Sequence, residues 1–225
     1  MKISIIGSGN MGRSLGILWA EQGHDVFFGS RTAEKGLATA DFAKHGTQGG
    51  TNDEAATFGD VLLYTARGIN PAEVFTSTEI LNNKILIDLN NFEIPEDFRF
   101  SPITESLAEK LALEVPNALV VKAFNTIPQE VFELAPEPLK NYNVSVLVAG
   151  DDLEAKQIVM QLAQEIGFNP IDSGTLHNAR LIEGLADLER FLVIHQQMGL
   201  VVPSFHLLPQ AEEQRLGGRK PSALK

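Results

Sequence analysis

The chain begins MKISIIGSGNMGRSLG, and no other stretch restricts its fold as much. Residues 2–6 are a short isoleucine-rich run, the pattern of a strand buried on both faces. Gly7, Gly9 and Gly12 follow as G-x-G-x-x-G, and residues 10–22 then place Met11, Leu15, Leu18 and Gln22 on one helical face. A strand that passes through such a turn straight into a helix opens a βαβ unit built to hold a dinucleotide. Gly7 permits the tight turn, Gly9 lets a pyrophosphate approach the backbone, and Gly12 lets helix and strand pack closely. Ser8, Asn10 and Met11 complete the expected phosphate cradle, and the helix start adds N–H donors and a positive dipole end.

The rest of the chain keeps alternating. Strands are predicted at 25–28, 61–65, 85–89, 118–123, 144–149 and 169–171. Helices are predicted at 32–44, 71–81, 107–113 and 151–166, with another starting at the capping-box pair Thr51 and Glu54. This order implies right-handed crossovers and an α/β fold of the doubly wound Rossmann type, with a mainly parallel sheet. The expected division is a dinucleotide-binding domain over 1–172, a small helical C-terminal addition over 173–208, and a mobile polar tail over 209–225.

Charge and composition remove other classes. The net charge of −11 argues against general nucleic-acid binding, and the absence of cysteine excludes disulfides, thiolate nucleophiles and cysteine-bound metals. The apolar start at residues 3–6 is too short for a signal peptide or a membrane span, so the expected location is the cytoplasm, with no membrane partner. The five histidines show no metal-ligand spacing, and no hydrolase motif is present. Asp151 and Asp152 precede a predicted helix and read as caps rather than an acid–base pair. His195 falls on the stripe Leu181, Leu185, Leu188 and Leu192, where a core or interface role is expected.

The second strand decides which dinucleotide. A carboxylate at its end would bind the adenosine ribose 2′-hydroxyl and repel a 2′-phosphate. Here the strand runs into Gly29, Ser30 and Arg31, with Lys35 one helical turn further on. A hydroxyl donor, a guanidinium capable of bidentate contact and an ammonium suit a phosphate, so the expected cofactor is NADP(H).

The segments KISIIGSGNMG, GSRTAEK, VVKAFNTIPQEVF, VAGDDLEAKQIVMQLAQEIGF and HNAR resemble the NADPH-dependent coenzyme F-420 reductase family, and the cytosolic domain of the STEAP metalloreductases is similar. The resemblance runs from about residue 2 to 188. It implies a Rossmann fold with a small C-terminal addition, often a homodimer, and hydride transfer between NADP(H) and a deazaflavin or flavin. It implies phosphate contacts at Ser30, Arg31 and Lys35, nicotinamide-side positions at Ala123, Phe124 and Asn125, and a further site residue at Asn178. Where the family commonly has a proline-containing turn, this chain has Thr65, Ala66 and Arg67, also expected at the cofactor. Asn90 and Asn91 then begin a loop carrying Phe92, Phe98 and Phe100, where an electron acceptor would sit.

The residues of KAFNTIPQ support this placement independently, since ligands of open α/β sheets bind at the carboxyl ends of strands. Asn125 suits a carboxamide or ring carbonyl, while Thr126 and Gln129 fit a capping box with Pro128 in its first turn. Lys122, inside an apolar strand, is expected to reach an edge and receives no role. No acid or base is assigned. Hydride transfer asks the protein mainly to align two rings, so Asn125, Asn178 and Phe124 are expected as positioning residues. Two classes stand at this point: a reductase with a small-molecule electron acceptor, and an NADP(H)-binding sensor or partner protein without turnover.

Overall fold

The computed structural model describes residues 1–7, 9–134 and 136–207. The expected tail at 209–225 therefore lies outside the described residues, as does Ser8. The elements run β1 (Lys2–Ile6), α1 (Asn10–Glu21), β2 (Asp25–Ser30), α2 (Ala33–Ala43), β3 (Gln48–Thr51), α3 (Asn52–Phe58), β4 (Val61–Tyr64) and a short α4 (Pro71–Val74). They continue β5 (Ile85–Asp88), α5 (Leu107–Glu114), β6 (Leu119–Lys122), α6 (Pro136–Asn141), β7 (Ser145–Gly150), α7 (Leu153–Glu165), β8 (Asn169–Asp172) and α8 (Ala179–Arg190), ending in a π-helical turn, Phe191–His195.

The strands form one sheet in the order β3-β2-β1-β4-β5-β6-β7-β8, the Rossmann arrangement extended by two strands. All neighbours pair in parallel except β6 and β7. Strand residues alternate between two apolar layers. Val61, Leu63, Ile85 and Ile87 join Leu15, Trp19, Val159 and Leu162 on the face covered by α1 and α7. Leu62, Tyr64 and Leu86 join Ala55, Ala108, Leu111 and Ala179 on the face covered by α3, α5 and α8. The switch in strand order falls between β1 and β4, which is where such folds bind ligands.

Several expectations change. Strand β3 carries little sequence signal, being Gln-Gly-Gly-Thr, because α2 lies backbone to backbone on it. A Cβ at Gly36 would come within 2.1 Å of the Gly50 carbonyl oxygen, so this contact tolerates only glycine. The continuous helix expected over 71–81 is broken. Phe75 is extended (φ −118°, ψ 149°) and buried, and Asp53 draws Thr76 away by accepting from its amide at 3.0 Å. The expected capping box at 126–129 is absent. Pro128 occupies the cap position of a 3-10 turn, Gln129–Glu133, without a side-chain bond. The boxes at Thr51 with Glu54 and at Ser106 with Glu109 are both formed, and Asp152 caps α7 by accepting from Ala155 N at 2.8 Å. The leucine stripe of α8 is turned outward, with Leu181 and Leu188 exposed, because Ala179, Ile182 and Ala186 form its buried face. His195 is exposed and stacks on Phe191 at 4.8 Å, so it is not a core histidine.

Lys122 reaches no edge. Its side chain has no exposed surface, because β6 is an inner strand. Its ammonium donates to Asp88 Oδ2 and Glu183 Oε1, both at 2.8 Å, and to the Asn90 carbonyl. Asp88 is its register partner on β5, and Glu183 comes from α8. Glu183 also accepts from the Leu107 amide at 3.0 Å, so one carboxylate satisfies both the lysine and the start of α5. Burial pushes the Glu183 carboxyl up, and the Lys122 ammonium works against that. Replacing Lys122 with Met leaves two buried carboxyls without their cation, and should lower the unfolding free energy by about 3–5 kcal/mol. Urea unfolding followed through the single tryptophan, Trp19, measures this, and a change under about 1 kcal/mol would contradict the assignment.

Candidate active site

A cleft of about 770 Å³ opens at the carboxyl ends of β1, β4, β5 and β6. Its floor at one end is the glycine turn. Gly7 sits at φ +103°, a conformation that favours glycine, and a Cβ there would meet Thr65 Oγ1 at 2.4 Å. Thr65 itself fastens the turn, its hydroxyl donating to the Ile6 carbonyl at 2.9 Å. Gly12 lies against Ile5, where a Cβ would stand 2.7 Å from Cγ2. Gly9 differs, because a Cβ built on it meets nothing within 4 Å. Gly9 caps α1 with no side-chain bond, and the first turn holds no acidic residue. The leading amides of α1 thus face open space with the positive end of the helix behind them, which fits a pyrophosphate.

The residues expected at a 2′-phosphate lie beside this turn. The Gly7 amide donates to the Gly29 carbonyl at 3.2 Å, so β2 ends directly alongside. Ser30 is buried at that end, and Arg31 and Lys35 are exposed on the following turn and the start of α2. None of the three lines the main cleft, which begins at Gly9.

At the other end the strand termini of β5 and β6 carry a ring of asparagines. Asn90 lines the cleft, but its Nδ2 is committed to Asp88 Oδ1 at 2.6 Å and the Tyr64 carbonyl at 3.1 Å. Asn91 Nδ2 donates to the Asn125 carbonyl at 2.7 Å, which turns Asn91 Oδ1 toward Asn125. Asn125 Nδ2 then donates to Asn91 Oδ1 at 2.9 Å and to the Ile182 carbonyl at 3.4 Å. Both partners are acceptors, so the amide cannot be flipped, and Asn125 Oδ1 is left buried without a partner. The Thr126 hydroxyl and Glu189 Oε1 are likewise buried and unpartnered, and all three residues line the cleft. Three unsatisfied polar groups at one cleft are costly unless a ligand completes them.

Other expected residues fall elsewhere. Thr65 and Arg67 line the cleft, Arg67 pairing with Glu93 at 3.1 Å, whereas Ala66 packs against the apolar layer of α3 and α5. Ala123 and Phe124 are fully buried and do not face the cleft. Phe124 adopts φ +64°, and its ring makes an edge contact with Trp19 at 5.8 Å, while the next residue, Asn125, lines the cleft. The loop phenylalanines are also not cleft walls. Phe98 packs on Phe100, Phe191 and His195, and the Phe92 carbonyl accepts from Arg190 at 2.6 Å, so the loop is bound to the end of α8.

Asn178 lies at the opposite edge of the sheet. Because β7 is antiparallel to β6, the chain leaves β7 and β8 where the other strands begin. Asn178 is held there by donating to the Ser173 carbonyl at 2.6 Å. Helix α8 then runs back, and it is its carboxyl end, with Ala186, Glu189 and Arg190, that walls the cleft. A helix end with a negative dipole, not a positive one, therefore faces the cleft.

Sequence reasoning passed over Glu189, Thr126 as a site residue, and the Asp88–Lys122–Glu183 cluster. One signal for the cluster was present: an aspartate and a lysine, each at the end of an otherwise apolar strand. Glu189 carried none, since one more acidic residue on an amphipathic helix reads as surface.

The family model described as NADP oxidoreductase, coenzyme F420-dependent, matches residues 2–92. The F420-dependent NADP reductase of Methanothermobacter thermautotrophicus is 32% identical over 210 residues, covering 84% of this chain and 87% of that protein. Human metalloreductase STEAP2 is 31% identical over 183 residues, 81% of this chain but 35% of the relative. The chain thus spans about a third of the length of the metalloreductases it matches. A crystal structure from Arthrobacter sp. FB24, whose name proposes an F420-dependent NADP reductase, superimposes with a TM-score of 0.76 at 27% identity, covering 89% of this chain and 96% of that one.

The open space at Gly9 yields a direct test. A Gly9→Val chain should fold normally, since a Cβ at this position meets no neighbour, yet bind NADPH at least about tenfold more weakly. Calorimetric titration beside a thermal melt measures both. A folded variant with unchanged affinity would remove the pyrophosphate from this turn.

Proposed function

The chain belongs to the F420-dependent NADP reductase family, and on that premise we propose that it is an NADP(H)-dependent oxidoreductase moving a hydride between NADPH and a deazaflavin or flavin ring. The observation that carries the reading is the pairing of two ends of one cleft. The open backbone at Gly9 suits a pyrophosphate, and the unpartnered Asn125 Oδ1 and Thr126 hydroxyl suit a carboxamide. A carboxamide offers an NH₂ donor and a carbonyl acceptor. Asn125 Oδ1 accepts from the first, and the Thr126 hydroxyl donates to the second. When bound, the nicotinamide supplies a hydride, and the surrounding residues fix its ring and exclude water.

Each residue then has a task. Gly9, Asn10, Met11 and Gly12 receive the pyrophosphate through backbone amides. Arg31 and Lys35 supply cations, and Ser30 a hydroxyl, for the 2′-phosphate. Thr65 holds the glycine turn in shape, and Arg67 guards the cleft mouth with Glu93. Asn90 is taken up by Asp88 and Tyr64, so its part is to keep the strand ends in register. The space between this wall and the end of α8 is left for the acceptor. The C-terminal addition at 173–208 serves in this proposal to close the acceptor side. A homodimer, which the resemblance implies, would cover the exposed Leu181 and Leu188. No helix among the described residues is long and apolar enough to cross a membrane.

Cofactor choice is testable through Arg31. Replacing it with Ala should cost about 1.5–3 kcal/mol of NADPH affinity, the range of a charged hydrogen bond, and leave NADH binding nearly unchanged. Equal wild-type affinities for NADPH and NADH would defeat the phosphate assignment. Alignment is testable through Asn125. Asn125→Ala should slow single-turnover reduction of a flavin or 5-deazaflavin by about 10²-fold while affecting NADPH affinity less. If the wild-type chain binds NADPH but reduces no acceptor in such a panel, the protein is an NADP(H)-binding sensor or partner instead.

A further inference from the structure

One acidic side chain of the cleft is buried and has no task in cofactor binding. Glu189 is on the face of α8 that walls the cleft, together with Ala186 and Arg190 and with Val193 and Ile194 of the following π-helical turn. The residue is only 6% exposed, and its Oε1 has no hydrogen-bond partner. The neighbouring guanidinium does not neutralise it. Arg190 is taken up by the Phe92 carbonyl at 2.6 Å, the Ala186 carbonyl at 3.2 Å and the carboxylate of Asp187. A buried carboxyl without a cation or a donor is far more stable as the neutral acid than as the anion. A neutral acid carries an O–H that seeks an acceptor, and the unpartnered oxygen is on a cleft-lining residue.

The position within the cleft narrows the role. The glycine turn and the ends of β5 and β6 hold the groups suited to pyrophosphate and carboxamide. Glu189 comes from α8, the wall that the dinucleotide-binding strands do not supply. We propose that Glu189 is the proton donor to the acceptor, giving up its carboxyl proton to a ring nitrogen as a flavin-type ring takes a hydride in this cleft. This rests on the reductase reading above. A C–H bond of the dihydronicotinamide breaks and its hydrogen leaves with the electron pair, so NADPH is oxidised by two electrons. The acceptor ring is reduced by those two electrons and gains that hydrogen. The O–H bond of Glu189 breaks, an N–H bond forms on the ring, and the carboxylate then recovers a proton from water.

The surrounding charges are compatible with a neutral Glu189. On its own helix stand Arg190, tied to Asp187, and Glu183, tied to Lys122. Across the cleft are Arg67, paired with Glu93, and Glu130. Beneath lies Asp88, paired with Lys122. Burial dominates over the opposing pull of Arg190 and pushes the carboxyl up to about 8. Glu189 is then protonated at neutral pH, and the donor form is lost as the pH rises through that value. The direction is the one a general acid needs.

The test uses the whole chain, NADPH, and two probes, FMN and a 5-deazaflavin, in single-turnover experiments across pH. Infrared spectra of the same protein follow the carbonyl stretch of a protonated carboxyl group. Glu189→Gln should lower the rate by about 10²-fold, the scale of general acid catalysis, with NADPH affinity within about twofold of wild type. The wild-type rate should fall above about pH 8 with a one-proton dependence that the variant lacks. A carboxylic-acid band should persist to that pH in the wild type and be missing in the variant. A variant that keeps the rate and the falling limb overturns the donor role. So does a wild-type band that vanishes with ordinary carboxyls near about pH 4.3, and this spectrum needs neither turnover nor a folded variant. A wild type that reduces neither probe overturns the reductase reading and the donor role together, and the missing turnover tells that failure from the others.

Discussion

A lysine without exposed surface, clasped by carboxylates from two different elements, is the interaction on which the site depends. Lys122 stands at the end of β6, Asp88 at the end of β5, and Glu183 one turn inside α8. None of the three tolerates loss of its partners, because a lone buried charge is strongly unfavourable. The C-terminal helix is therefore fastened to the carboxyl edge of the sheet by charge as well as by apolar packing. Geometry follows from this. Asp88 also holds Asn90, Lys122 holds the Asn90 carbonyl, and Glu183 caps the start of α5. The strand ends that shape one wall of the cleft and the helix that forms the other are parts of one network.

That network explains how a chain with no acid–base dyad in its sequence can still offer a specific ligand site. Asn91 and Asn125 exchange hydrogen bonds, and the exchange leaves one carbonyl oxygen of defined orientation. The unusual backbone at Phe124 serves the same end, anchoring its ring in the core so that Asn125 cannot turn away. The polar residues that line the cleft are thus held by residues that pack. This is what hydride transfer requires, since its rate depends on the alignment of two rings.

Much of this was legible in the sequence because local rules agreed with the fold. The glycine turn, the alternation of strands and helices, the absent carboxylate after β2, and the capping box at Thr51 each follow from short-range chemistry. What was not legible was long-range. Strand β3 exists because Gly36 of α2 needs a bare backbone to rest on, which no propensity scale records. The helix over 71–81 breaks because Asp53, on another element, binds Thr76. Asn178 was misplaced because the reversal at β7 sends the chain to the other edge of the sheet, and the direction of a strand has no local signature. Lys122 read as an edge lysine because its partners lie 34 and 61 residues away in the sequence.

The central claim is that one cleft, from Gly9 to Asn125, holds NADP(H). A crystal structure of the chain with NADP⁺ tests it most directly. The account predicts the pyrophosphate over Gly9 at the start of α1, the 2′-phosphate at Arg31 and Lys35, and the carboxamide within hydrogen-bond distance of Asn125 Oδ1 and the Thr126 hydroxyl. A nicotinamide ring outside the cleft, with Asn125 Oδ1 and the Thr126 hydroxyl still unpartnered, would contradict it.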